Sequence, residues 1–313
     1  MNTHRSEERK RPGWFTWLRI TGIIIFIVVL SQFDLGEIWK QIRVISPGFL
    51  LLAILSQLVL LIVKGIRWHR MVKRSHTRIG FLQSMGEFME SYAIGVITPG
   101  RMGELMKAGY QNNRGGIFAS GLKVVAERGL DVGFFIVVAG AALSFETLIQ
   151  LPPAPGYILL AAGALVFLLS VLLINSRVSL PFLNRVFSKY SSSFDRHNNR
   201  SSFSIVILSL ISNAFAFISC WFIVLGIGMP VSLLGLSGGV ALAGLLNMLP
   251  VTIMGLGTRE LTFLFVFSQF PETQVLALSG LIFLVAQIGG GLMAMFMGQF
   301  FLALKKRETK KTP

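Results

Sequence analysis

At 313 residues the chain is 53% hydrophobic and 14% charged, where a soluble globular domain carries about 25% charged residues, so an ordinary soluble fold is excluded. A net charge of +15 would point to nucleic acid in a soluble protein, but here Lys and Arg flank apolar runs, the distribution that sets membrane topology and meets anionic lipid head groups. No nucleic-acid partner is expected, and no stretch is long and polar enough for a separate soluble module, which leaves one membrane domain over 1–313, in halves 1–150 and 151–313.

A spanning helix takes about 20 predominantly apolar residues. The first such run, 17–33, follows a basic N-terminus and lacks a small-residue cleavage pattern, so it reads as a retained span rather than a removed signal. Residues 47–66 form the second span. Residues 79–98 are apolar but hold Glu87 and Glu90 and stop at Pro99-Gly100. Spans follow at 121–143, 156–174 and 203–228. A second interrupted segment, the Gly-rich 231–249, stops at Pro250 ahead of Gly255 and Gly257. The last span, 273–303, is long enough to require tilt. Trp14, Trp17, Trp39 and Trp68 fall at the predicted span ends, where amphipathic rings favour the interface.

Backbone N–H and C=O groups in hydrocarbon must be paired, so irregular Pro/Gly backbone at depth survives only inside protein or beside a cavity. Both interrupted segments are therefore expected as re-entrant half-helices. The fold class is all-α: a polytopic membrane protein with six transmembrane helices plus two re-entrant broken helices. With the N-terminus and its Arg5, Arg9, Lys10 and Arg11 inside, the basic loops 67–78 and 175–202 and the tail from Lys305 also fall inside. The loop 144–155, with no Lys or Arg, falls outside, as the positive-inside rule asks. Both termini are thus expected in the cytoplasm, with the chain in the plasma (inner) membrane. Each half makes three crossings in the same order, so the second copy enters upside down; an inverted repeat with broken helices at matching positions points to a transport site near the midplane.

Ionisable groups deep in a membrane are costly unless paired or hydrated. Pro99-Gly100-Arg101-Met102-Gly103-Glu104 ends the first broken segment. Its glycines, Gly100 and Gly103, permit close backbone approach to a ligand, Arg101 offers a planar fork suited to phosphate, and Glu104 can orient it. In the second half, Gly255-Leu256-Gly257-Thr258-Arg259-Glu260 repeats the theme, with Arg259 as the second phosphate-seeking group, Gly257 beside it and Glu260 as its orienting carboxylate. The proposed topology brings Arg101 from the inside and Arg259 from the outside. Between them, Lys123, Glu127 and Asp131 recur every four residues on one helix face, with Arg128 adjacent. These four charges sum to zero, which suits an internally paired network along the path. Glu87 and Glu90 are expected to pair with Lys64 or Arg67. The single cysteine, Cys220, reads as a small core residue. His4, His69, His76 and His197 lack metal-ligand spacing, so neither a metal nor another cofactor is expected.

Pro99-Gly100-Arg101-x-Gly103-Glu104, then Glu127-Arg128-x-x-Asp131, then Pro250 with Gly255-x-Gly257-x-Arg259-Glu260 resembles the flippase-like, lysylphosphatidylglycerol synthase transmembrane-region family, over nearly the whole chain. In the multiple peptide resistance factor, a domain of this type is joined to a soluble aminoacyltransferase. The resemblance implies that this chain has the translocating part without the synthase. It implies lipid handling, with an anionic phospholipid or a polyprenyl-phosphate-linked lipid as the partner.

The expectation is a flippase with no catalytic constellation. The alternatives are a membrane-embedded lipid-modifying transferase, with Glu127 or Asp131 as base, and a non-catalytic partner of a glycosyltransferase or other lipid enzyme. Homo-oligomerisation is compatible with any of these.

Overall fold

A computed structural model describes residues 36, 39–40, 43, 45–73, 79–110, 117–146, 152–174, 199–249 and 254–311. Every regular element among them is helical. The expected first span at 17–33, most of the polar loop 175–202, and Pro250 lie outside the described residues.

Five helices are long and apolar enough to cross a membrane: Pro47–Lys73, Ser120–Phe145, Ala154–Ile174, Ser202–Ile227 and Glu272–Lys305. They coincide with five of the six spans read from hydropathy. We number the elements α1 (Pro47–Lys73), α2 (Phe81–Ile97), α3 (Met106–Tyr110), α4 (Ile117–Phe145), α5 (Ala154–Ile174), α6 (Asn199–Ile227), α7 (Leu233–Asn247), α8 (Thr258–Val266), α9 (Glu272–Ile282) and α10 (Gly290–Lys311). At 27 residues, α1 is about 40 Å long, and α2 and α7, at 17 and 15, are about 25 and 22 Å. Only the first exceeds a hydrocarbon core of about 30 Å.

The distribution of polarity inverts that of a soluble protein. Leu51, Leu55, Ile158, Leu165 and Leu168 are exposed, whereas Arg67, Lys107, Glu127 and Asp131 are buried. Lipid is as apolar as leucine and leaves no hydrophobic drive between helices, so packing relies on close approach of small residues and on polar contacts. The α4–α5 pair shows this directly. A Cβ at Gly163 would lie 2.6 Å from Val137 N, and one at Gly140 would lie 2.6 Å from Leu160 N. Only glycine lets the two backbones meet.

α1 packs along α6, α2 against α10, and α7 against α4. The two short helices are thus held by α10 and α4 respectively, and their C-terminal ends lead toward the turns that carry Arg101 and Arg259. One feature was not foreseen. The long apolar run at 273–303 is not a uniform helix, because Phe283–Gly289 is π-helical between α9 and α10. Such wide turns in an α-helix often mark functional positions.

Candidate functional site: a cationic cavity between two interrupted helices

The site is built on a buried charge cluster. Arg67, 1% exposed on α1, donates through Nη1 to Asp131 Oδ1 at 2.7 Å and through Nη2 to Glu127 Oε1 at 2.9 Å. Lys64, one helical turn earlier, donates to Asp131 Oδ2 at 2.9 Å. Lys107 Nζ, from α3, reaches Glu127 Oε2 at 2.6 Å and Glu104 Oε2 at 3.4 Å and sits over the rings of Trp68 and Phe88. Glu104 Oε1 in turn faces Arg128 Nη2 at 2.6 Å and Arg101 Nε at 3.3 Å. Every carboxylate therefore meets at least two cations, which offsets the cost of burying it in low dielectric.

Above this cluster lie the two turns. Thr98 closes α2: its Oγ1 donates to Gly95 O at 3.0 Å and accepts from Gly103 N at 2.8 Å. The chain then enters the left-handed region at Gly100 (φ 58°) and stays there at Arg101 (φ 54°). Such a conformation is uncommon for a residue with a Cβ and costs about 1 kcal/mol or more. It swings the Arg101 guanidinium onto the Tyr92 ring, 4.8 Å from its centroid. The second turn has the same character: Met254 (φ 56°), Gly255 (φ 75°) and Gly257 (φ 82°) are all left-handed. Glu260 Oε2 accepts from Gly257 N at 2.7 Å, the reciprocal half of a capping box. Glu260 Oε1 pairs with Arg259 Nη2 and accepts from Ser279 Oγ, while Arg259 Nε donates to that same serine at 2.8 Å. Arg259 lies against the Phe283 ring of the π-helical stretch, at 4.8 Å.

Both guanidinium groups line one cavity of approximately 140 Å³, together with Lys64, Asn213, Cys220 and Gln287. At about 30 Å³ per water, this is room for four or five waters or a small anion. Four buried polar atoms of its lining residues have no hydrogen-bond partner: Arg101 Nε and Nη2, Arg259 Nη1 and Asn213 Oδ1. Buried polar atoms are nearly always satisfied, so guanidinium N–H groups of both arginines are left to donate to an acceptor such as a phosphate oxygen. A larger groove of approximately 450 Å³ adjoins it, sharing Met254 and Gln287, and runs between α2 (Val96, Ile97) and α10 (Gly291, Leu292, Met295). Its lining is mostly apolar, with Glu90 accepting from Tyr110 Oη at 3.2 Å at its edge.

The residues singled out in the sequence divide into three groups. Arg101 and Arg259 face the cavity, and Glu104 and Glu260 pair with them as orienting groups. Gly100, Gly103 and Gly257 shape the turns and do not line the cavity; Gly103 is tied to Thr98 and Gly257 to Glu260, and Gly255 takes the lining position. Lys123, Glu127, Arg128 and Asp131 stand behind the cavity wall, and all but the half-buried Arg128 are buried.

Two pairings differ from expectation. Three of the α4 charges pair with groups outside α4: Glu127 and Asp131 are drawn to Arg67, Lys64 and Lys107, and Arg128 to Glu104. The four-residue period that puts Glu127 and Asp131 on one face aims both at neighbouring helices. For the same reason Lys64 and Arg67 are not available to Glu90, which binds Tyr110, and Glu87 accepts from Gln83 at 2.8 Å. From sequence alone Lys64, Arg67 and Lys107 read as pairing or topology residues, and Tyr92 and Asn213 carry no signal. The three- and four-residue steps from Gln57 through Leu60 and Lys64 to Arg67 and Trp68 are the available signal for the first two.

Across residues 16–294 the chain matches the family described as the lysylphosphatidylglycerol synthase TM region. A multi-pass helical protein with a buried cationic cavity is the class that the fold and site define, and the chain belongs to this family of membrane-lipid function. No match is found among curated proteins.

Proposed function

We propose that this chain is a lipid translocator, not an enzyme, that receives the phosphate of an anionic phospholipid or polyprenyl-phosphate-linked lipid in the cavity between its two turns. The observation that carries this reading is the pair of orphaned guanidinium N–H groups, Arg101 Nη2 and Arg259 Nη1, on one cavity. Arginine's planar fork suits phosphate oxygens. The adjoining apolar groove between α2 and α10 provides a path for the hydrocarbon tail while the head is held.

In this reading the first span at 17–33 completes six crossings, and α2 and α7 are re-entrant. Their lengths support this, as does the tolerance of left-handed, Gly-rich backbone only where it lines a cavity. The packing supports an inverted repeat: α1 and α6 pair with each other, and α2 on α10 mirrors α7 on α4, as a pseudo-twofold axis would generate. Both termini lie in the cytoplasm of the plasma membrane, following the basic loops.

The test is reconstitution into vesicles carrying a fluorescent anionic phospholipid, with chemical quenching of the outer leaflet. The wild type should move label between leaflets well above protein-free vesicles. Arg101→Ala and Arg259→Ala should each lower the rate at least tenfold. Equal rates in wild-type and empty vesicles, or unaffected variants, would remove the basis for translocation through this cavity.

A further inference from the structure

Among the described residues, the ion-pair cluster behind the cavity carries more positive than negative charge. Five cations, Lys64, Arg67, Arg101, Lys107 and Arg128, are joined by ion pairs to three carboxylates, Glu104, Glu127 and Asp131. The excess is two positive charges. Arg259 and Glu260 pair with each other and add nothing to it. Neither Glu87 nor Glu90 lines the cavity.

Uncompensated charge in a low-dielectric interior is costly, and proteins remove it by pairing or by neutralisation. Arginine cannot be neutralised, and three of the five cations are arginines. Lys64 and Lys107 each lie within 3 Å of a carboxylate and belong to the ion-pair cluster. The excess also has an outlet. Lys64 and Arg101 line the cavity, and Arg101 Nη2 is buried there without a partner. The remaining cations, Arg67, Lys107 and Arg128, stand one contact behind through Asp131, Glu127 and Glu104.

We propose that the head group taken by this cavity is a dianion, a phosphomonoester or equivalent doubly charged phosphate, in preference to the singly charged phosphodiester of common phospholipids. The inference rests on the phosphate site described above and narrows its substrate class. A monoanion leaves one buried charge uncompensated, whereas a dianion closes the balance. The shared chemistry is a phosphate dianion, whether lipid-linked or free, and the hydrocarbon groove beside the cavity favours the lipid.

The experiment is equilibrium binding to the full chain in nanodiscs at pH 8, where a phosphomonoester is doubly charged. The probes are dioleoyl phosphatidic acid, dioleoyl phosphatidylmethanol and inorganic phosphate. Phosphatidylmethanol has the same tails and nearly the same head size but one charge fewer. Phosphatidic acid should bind at least about tenfold tighter than phosphatidylmethanol, equivalent to ~1.4 kcal/mol. Lys64→Gln reduces the excess to one and should cut this preference below about threefold, and Arg128→Gln provides the same test should Lys64→Gln fail to fold.

Equal affinity for the two lipids, with both weakened by Arg101→Ala, would overturn the dianion assignment and leave the phosphate site standing. No binding of either lipid, or binding indifferent to Arg101→Ala, would overturn the site itself. Inorganic phosphate binding as tightly as phosphatidic acid would support the dianion and overturn the lipid as its source.

Discussion

Arg101 holds a left-handed backbone, φ 54° and ψ 32°, directly after a left-handed glycine. A Cβ in that conformation costs roughly 1–2 kcal/mol, while in regular structure glycine is the worse residue by about 0.5–1 kcal/mol relative to alanine. At this position the order should reverse. Arg101→Ala and Arg101→Gly both delete the ion pair to Glu104 and the stacking on Tyr92, so their difference isolates the backbone. The glycine variant should be the more stable by about 1 kcal/mol. Glu104 keeps Arg128 at 2.6 Å and Lys107 at 3.4 Å in both, so neither should collapse. Denaturant titration in detergent micelles, followed by tryptophan fluorescence, resolves such a gap. In vesicles both variants should be equally deficient in translocation, because both lack the guanidinium. A stability order with alanine above glycine would refute the strained placement of Arg101 and with it the reason its side chain reaches the cavity.

Met254 offers a parallel case at φ 56°, and Met254→Gly should stabilise the fold by roughly 0.5–1 kcal/mol in the same titration. Arg67→Met leaves Asp131 to Lys64 and Asn213 and Glu127 to Lys107. It should cost about 3 kcal/mol, the low end for breaking a buried ion-pair network, and adding Asp131→Leu should cost less than the sum of the single changes in a double-mutant cycle. Gly163→Val drives a side chain into Val137 N and Gly133 O, backbone atoms that cannot swing aside. Thermal unfolding should show a loss of at least about 1–3 kcal/mol.

Much of the fold was legible because lipid imposes a strong length and composition filter. Five of the six expected spans recur as described helices, and the two Pro/Gly interruptions fall where regular helix stops after α2 and α7. Arg101, Arg259 and their glutamates were legible as well, since a charge beside glycines in an apolar context is rare enough to stand out. What could not be read was partnership. Lys123, Glu127, Arg128 and Asp131 looked self-sufficient because charges close in sequence can pair on one helix, and nothing local showed that α1 and α3 present Arg67, Lys64 and Lys107 to them. The roles of Gly103 and Gly257 were misplaced for a similar reason: the N–H of each is used by Thr98 or Glu260, a contact set by turn geometry rather than composition. The π-helical turn at Phe283–Gly289 left only the Gly289-Gly290-Gly291 run as a hint, and that run read equally well as a packing surface.

In the proposed function Arg101 and Arg259, though 158 positions apart in the chain, act on one phosphate. A double-mutant cycle on phosphatidic acid affinity tests it, using Arg101→Ala, Arg259→Ala and the pair together. If both guanidinium groups grip the same head group, each single change weakens binding at least tenfold, and the double variant is weaker than either by no more than about threefold, a coupling of at least ~0.7 kcal/mol. Phosphatidic acid affinity unchanged by Arg101→Ala or by Arg259→Ala would place the two arginines on separate ligands and contradict the shared cavity.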